Sequence, residues 1–145
     1  VLNREAVGPK ILEWKEEKNA MAASEEDKGS IMSILATDLP VTSRQLKRIL
    51  KRTGVGIART GGYTGHGSGE VMIGFTTANR IPSGREEELL QISAIPEHVI
   101  NRAFLAAAEA EQEAILNSMT AAKQTRGREG ELYYSLAEYL NDREA

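Results

Sequence analysis

The sequence predicts an α/β or α+β chain, and three observations carry that expectation. Ile31 to Thr37 is a short, nearly continuous apolar run closed by Asp38-Leu39-Pro40. Its length and closure are those of a buried strand covered on both faces. Glu70 to Thr77 is a second strand, rich in β-branched and apolar residues and broken by Ile81-Pro82-Ser83-Gly84. Apolar residues spaced by three and four call for helices over 42–53 and 97–119.

Each element has a local reason. Up to about Gly29 the chain is polar and Lys/Glu-rich, with Trp14 as its only large aromatic. Ile11, Leu12 and Trp14 are expected to seed a short piece that docks elsewhere, and Ser24 to Lys28 reads as a flexible acidic linker. After the first strand, Thr42 or Ser43 caps a helix whose apolar positions are Leu46, Ile49 and Leu50; Gly54 and Gly56 are expected to end or loosen it. Residues 61–69 hold five glycines in nine positions, a loop that takes unusual dihedrals or approaches something closely. Pro96 suits the first turn of the long helix, with Glu97 complementing the positive end of its dipole. Gly127 and Gly130 mark a loop, and Tyr133 to Leu140 a last short helix. Two strands alone make a marginal sheet, so further strands are expected from another chain or another segment.

Composition narrows the function. A chain of 145 residues suits one domain, and 41% apolar with 27% charged residues is ordinary for a globular protein. The absence of cysteine removes disulfide frameworks, thiolate nucleophiles and cysteine metal sites. His66 and His98 are the only imidazoles, and neither has a partner at metal-ligand spacing. No apolar run approaches the ~20 residues that cross a bilayer, so no membrane partner is expected. No basic start precedes an apolar stretch, so no secretory signal is read in this segment. The chain opens with Val1 rather than Met, which reads as a processed product or a piece of something longer. Residues 42–60 carry six basic side chains and no acid, yet the net charge is −3. Phosphate binding would use such a segment, but a solvated helix face explains it as well, and no nucleic-acid partner is expected.

The glycine loop lacks the lysine of a phosphate-binding loop and leads into a strand, so it is not one. Two junctions stand out instead. Gly29-Ser30 sits where the polar segment meets the first strand, and Ser68-Gly69-Glu70 where the glycine loop meets the second. Residues i and i+2 share a strand face, so Ser68, Glu70 and Met72 point the same way, leaving Glu70 partly desolvated and in need of partners. The plainer alternative is a loop end at Gly29-Ser30 and a satisfied strand-edge carboxylate at Glu70.

At this point a resemblance enters. Gly29-Ser30-Ile31-Met32-Ser33-Ile34-Leu35-Ala36-Thr37-Asp38, Gln45-Leu46-Lys47-Arg48, Ala58-Arg59-Thr60-Gly61, Gly67-Ser68-Gly69-Glu70 and Phe75-Thr76-Thr77-Ala78-Asn79-Arg80 resemble, in order, the small chain of a self-cleaving aminopeptidase family. Its members are the L-aminopeptidase/D-amidase/esterases and the β-peptidyl aminopeptidases. Ala114 to Ser118 and Arg126 to Gly130 are similar to the same chain, and residues 1–28 match only weakly.

The resemblance implies an αββα-layered sandwich of the N-terminal-nucleophile hydrolase type. Residues 1–29 would be the polar tail of the large-chain segment and 30–145 the small-chain catalytic region. It implies self-cleavage between Gly29 and Ser30, with Ser30 as nucleophile and Ser68 and Glu70 as its helpers. The chemistry suits these residue types. A serine hydroxyl is a weak nucleophile without an adjacent base. A free α-amino group, with a pKa of about 7.7–8.0, is such a base, so an N-terminal serine needs no histidine. Gly29, without a side chain, permits the strained backbone that self-attack requires. Ser68 would bridge Glu70 to Ser30, and Glu70 would stabilise the protonated amine.

The implied activity is release of N-terminal D-, small L- or β-amino acids from peptides, amides or esters. No metal or organic cofactor is implied. The implied partners are the protein's own N-terminal large chain, a peptide or amide substrate, and further copies in a homo-oligomer. The large chain would supply the oxyanion donors, usually the largest catalytic contribution, so this segment alone is expected to be nearly inert. Two other readings stay open: an acyltransferase of the same architecture, whose nucleophile is a threonine where this chain has Ser30, and a non-catalytic or isolated fragment.

Overall fold

Two parallel strands organise the fold in the computed structural model, which describes residues 6–18, 29–84, 89–128 and 130–144. Strand β1 (Ser30–Thr37) runs beside β2 (Gly69–Thr76), with Ser30 opposite Gly69 and Thr37 opposite Thr76. Parallel strands need a long crossover. Here it consists of helix α2 (Ser43–Leu50), helix α3 (Thr53–Arg59) and the glycine loop. Before the strands lies α1 (Gly8–Glu17). After them a 3₁₀ turn at Glu97–Val99 leads into the long helix α4 (Ile100–Ala121). A small hairpin, β3 (Thr125–Arg126) with β4 (Leu132–Tyr133), and α5 (Leu136–Glu144) close the chain. The acidic linker expected at Ser24–Lys28 lies outside the described residues.

Local signals set the helix starts. Thr42 caps α2 in a reciprocal box: its hydroxyl accepts from the Gln45 N–H at 3.2 Å, and the Gln45 side chain accepts from the Thr42 N–H at 3.1 Å. Ser135 and Glu138 form the same box at the start of α5, with Ser135 N–H donating to Glu138 at 2.7 Å. The expected single helix over 42–53 is two helices. Gly54 and Gly56 do not end it but lie inside α3. Gly56 serves packing: a Cβ there would sit 2.6 Å from the Ala108 carbonyl oxygen, so glycine lets α3 lie directly on α4.

The core sits between the sheet and the helices. Val41, Ile49, Ile100, Ala103 and Ala107 are buried there, with Leu35, Leu46 and Phe104 packed against them. Among the described residues only this face of the sheet is covered, contrary to the expectation from the apolar run. On the opposite face Met32 is 74% and Ile34 71% exposed, continued by Val71, Ile73 and Phe75. From Met32 on β1 and Val71 on β2 onward, every residue on that face is apolar, a pattern of a sheet with a further layer on it.

The basic segment is engaged within the fold. Arg44 and Arg48 both bind the Glu97 carboxylate, and the Arg48 and Arg52 guanidinium groups lie 5.3 and 4.1 Å from the Phe104 ring centre. Glu97 therefore serves α2 rather than only the α4 dipole. The Arg48 hydrogen bond, with Arg44 beside it, holds the Glu97 carboxyl below its ordinary range. Among the described residues no helix is long and apolar enough to cross a membrane.

Candidate active site

The site lies where both strands begin. Register places Ser30 directly opposite Gly69, between Ser68 and Glu70. The Ser30 hydroxyl accepts from the Gly69 backbone N–H at 3.2 Å. Ser68 donates its hydroxyl to the Glu70 carboxylate, joining the two residues that strand alternation was expected to align. A turn holds Ser68 in place: its N–H donates to the Gly65 carbonyl at 3.0 Å, and the loop before it passes through Thr64 at φ 52° and Gly61 at φ 107°. Gly61 is at a left-handed dihedral that favours glycine, and at Gly62 a Cβ would meet the Ile57 side chain at 2.6 Å.

The three side chains do not form one hydrogen-bonded chain. Ser68 and Glu70 are bonded to each other, while Ser30 reaches them only through the Gly69 backbone. Ser30 shares the exposed face with Met32 and Ile34. Glu70 is half-buried on the helix-facing side with Met72, where the Thr53 hydroxyl donates to the Met72 sulfur at 3.0 Å. Hydroxyl and carboxylate thus leave the sheet on opposite faces. The backbone nitrogen of Ser30, like other strand backbone atoms, belongs to the sheet plane that separates those faces.

Sequence reading missed the anchor behind this strand. Ser33 is 6% exposed and donates its hydroxyl to Glu111 of α4 at 2.6 Å. A lone serine inside an apolar run was the available signal, since a buried hydroxyl requires a partner. Trp14 docks as expected, and the structure names its site: Tyr134 and Tyr139 at ring-centre distances of 5.2 and 5.6 Å, both edge-on.

Residues 3–133 match Peptidase family S58. The chain belongs to this family. It is 35% identical over 102 residues to the β-peptidyl aminopeptidase BapA of Sphingosinicella microcystinivorans, which covers 70% of this chain and 26% of that protein. Among solved structures, a protein from Pyrococcus horikoshii superposes with a TM-score of 0.68 at 45% identity, over 76% of this chain and 31% of that one. The L-aminopeptidase D-Ala-esterase/amidase of Ochrobactrum anthropi, a serine aminopeptidase with a variant of the Ntn hydrolase fold, gives a TM-score of 0.68 at 34% identity, over 75% and 31%. The S58 chain thus has the α/β fold of Ntn hydrolases and spans only about a quarter to a third of these relatives.

Proposed function

We propose that this S58 chain is the catalytic segment of a self-cleaving serine aminopeptidase, with Ser30 as nucleophile. One observation carries the reading: Ser30 starts β1 opposite Gly69, with the bonded pair Ser68 and Glu70 on either side of that partner. Two of the relatives named above, from Sphingosinicella microcystinivorans and Ochrobactrum anthropi, are aminopeptidases, which supports a hydrolase acting at an amino terminus.

In the first reaction the Ser30 hydroxyl oxygen attacks the Gly29 carbonyl carbon. The C–N bond breaks, the nitrogen gains the proton, and Gly29 is left as an ester on Ser30. That step also frees the Ser30 amine; water then hydrolyses the ester, releasing a Gly29 carboxylate and restoring the Ser30 hydroxyl. In the second reaction this amine takes the hydroxyl proton as Ser30 attacks the substrate carbonyl, then returns it to the leaving amine. Water again clears the ester. Because hydroxyl and carboxylate project from opposite faces, the in-plane nitrogen is the group that can serve both. Ser68 and Glu70 then orient the amine and offset its charge when protonated.

Substrates are peptides, amides or esters with an N-terminal D-, small L- or β-amino acid. The segment preceding Ser30 completes the enzyme: it covers the apolar face of Met32, Ile34 and Phe75 and brings the oxyanion donors. The assembled enzyme is a homo-oligomer.

Intact mass of the full-length protein tests the reading. Wild type yields two chains separated at Gly29–Ser30, and Ser30→Ala stays whole. Equal cutting of both, or a whole wild type after long incubation, overturns it. Glu70→Gln lowers turnover at least about 10²-fold; an unchanged rate removes Glu70 from the site.

A further inference from the structure

We propose that Gly69 sets which amino-terminal residues the site accepts. Its missing side chain leaves the ground beside the Ser30 hydroxyl open to the substituent on the substrate's α-carbon. This rests on Ser30 being the nucleophile, as read above, and adds the residue that sizes the acyl group. Gly69 begins β2 directly opposite Ser30, and both lie on the outward face with Met32 and Val71. The Gly69 N–H donates to the Ser30 hydroxyl oxygen at 3.2 Å, so that oxygen leans across toward β2. Along β1 the next outward side chain is the long one of Met32, 74% exposed, whereas across from Ser30 there is none.

The fold itself does not ask for glycine here. The Gly69 φ lies outside the left-handed region, and among the described residues a Cβ there would meet only the Ser30 hydroxyl oxygen, at 3.5 Å, an ordinary contact. Gly56 and Gly62, by contrast, face neighbours at 2.6 Å, and Gly61 holds φ at 107°. Glycine weakens a strand and is found where a ligand approaches closely. In a near-attack geometry the carbonyl carbon stands about 3–3.5 Å from the attacking oxygen. A Cβ of residue 69 would keep the same distance from that oxygen, so the two compete for one shell around it. The α-carbon of the acyl residue, one bond further out, then lies over the bare position. A glycine or β-alanine residue carries two hydrogens on that carbon and needs little of the room; an α-carbon bearing a methyl or larger group needs it. Gly29, the acyl residue of the self-cleavage, is itself without a side chain.

Gly69→Ala in the full-length protein tests this, with glycine amide and both alanine amides as substrates. The variant keeps the backbone N–H, and cutting at Gly29–Ser30 is expected to survive in it. kcat/KM for the better alanine amide is expected to fall at least about 10-fold more than that for glycine amide. Equal losses for the two, or no loss for either, overturn the assignment, as does a folded Gly69→Ala that stays whole. If Gly69→Ala misfolds, Val71→Ala carries the test, since Val71 is the next residue of β2 on that face. It widens the same ground, and kcat/KM for leucine amide is expected to rise relative to alanine amide; an unchanged ratio overturns the assignment. A wild type that stays whole by intact mass is instead a failure of the self-cleavage reading, seen before any substrate is compared.

Discussion

The Ser33 hydroxyl donates to the Glu111 carboxylate at 2.6 Å, tying the strand that begins at Ser30 to helix α4. The bond bridges 78 positions of sequence and is shielded, since Ser33 is nearly inaccessible. A hydrogen bond to a charged group contributes more than a neutral one, and losing one partner leaves the other unsatisfied. Ser33→Ala is therefore expected to lower stability by about 1.5–3 kcal/mol. Glu111→Gln retains an acceptor and costs less than Ser33→Ala. Urea unfolding checks both, with an unchanged slope marking a pure stability effect.

Two glycines of α3 should respond in opposite senses. At Gly56 a Cβ would meet the Ala108 oxygen and Glu111 Cβ at 2.6 Å and the Gln112 nitrogen at 2.8 Å. Gly56→Ala forces the helices apart and is expected to cost about 1–3 kcal/mol. At Gly54 the nearest atom is the Met72 methyl carbon at 3.9 Å, ordinary contact. Gly54→Ala is expected to stabilise by about 0.4–1 kcal/mol, because alanine has fewer unfolded conformations to lose. Thermal unfolding of the two variants gives the comparison, and equal shifts would contradict the packing of α3 on α4.

The Glu97 cluster should make stability fall on the acid side. The Arg48 hydrogen bond, then the charges of Arg48 and Arg44, lower the folded pKa below the ordinary 4.5. A depressed carboxyl pKa contributes stability that is complete above the unfolded value and is lost as pH falls through the folded one. Glu97→Gln is expected to have a lower Tm than wild type at neutral pH, and the gap should close as pH drops below 4.5. A gap independent of pH would mean that the carboxylate charge is not what binds α2 to the 3₁₀ turn.

The outward sheet face predicts an asymmetry between charge and shape. In the full-length protein Ile73→Lys places an unpaired ammonium between two layers and is expected to prevent folding, seen as loss of soluble, cleaved product. Met32→Leu conserves volume and is expected to cost less than about 1.5 kcal/mol. If Ile73→Lys folds and cleaves normally, that face is not covered in the enzyme.

Much of the candidate site's local geometry was legible in the sequence, for local reasons. Alternation in a strand aligned Ser68 with Glu70, and the glycine-rich loop announced unusual dihedrals or close approach, met at Gly61 and Gly62. Thr42 was readable as a cap because its partner Gln45 is three residues away. The box at Ser135 and Glu138 had the same spacing and was equally available. What misled was glycine inside α3, read as a breaker because the neighbour it makes room for, Ala108, is distant in sequence.

The residue pattern alone determined the strand positions to within a residue, because alternation and turn signals depend on neighbours within a few positions, and the ordered motifs carried the resemblance to the family. Only the tertiary structure decided which face of β1 is covered, that Ser33 is held by Glu111, and that Trp14 rests on Tyr134, Tyr139 and Asp142. Those pairings join groups far apart along the chain. Burial and hydrogen bonding select such partners by proximity in space, which the order of residues does not record.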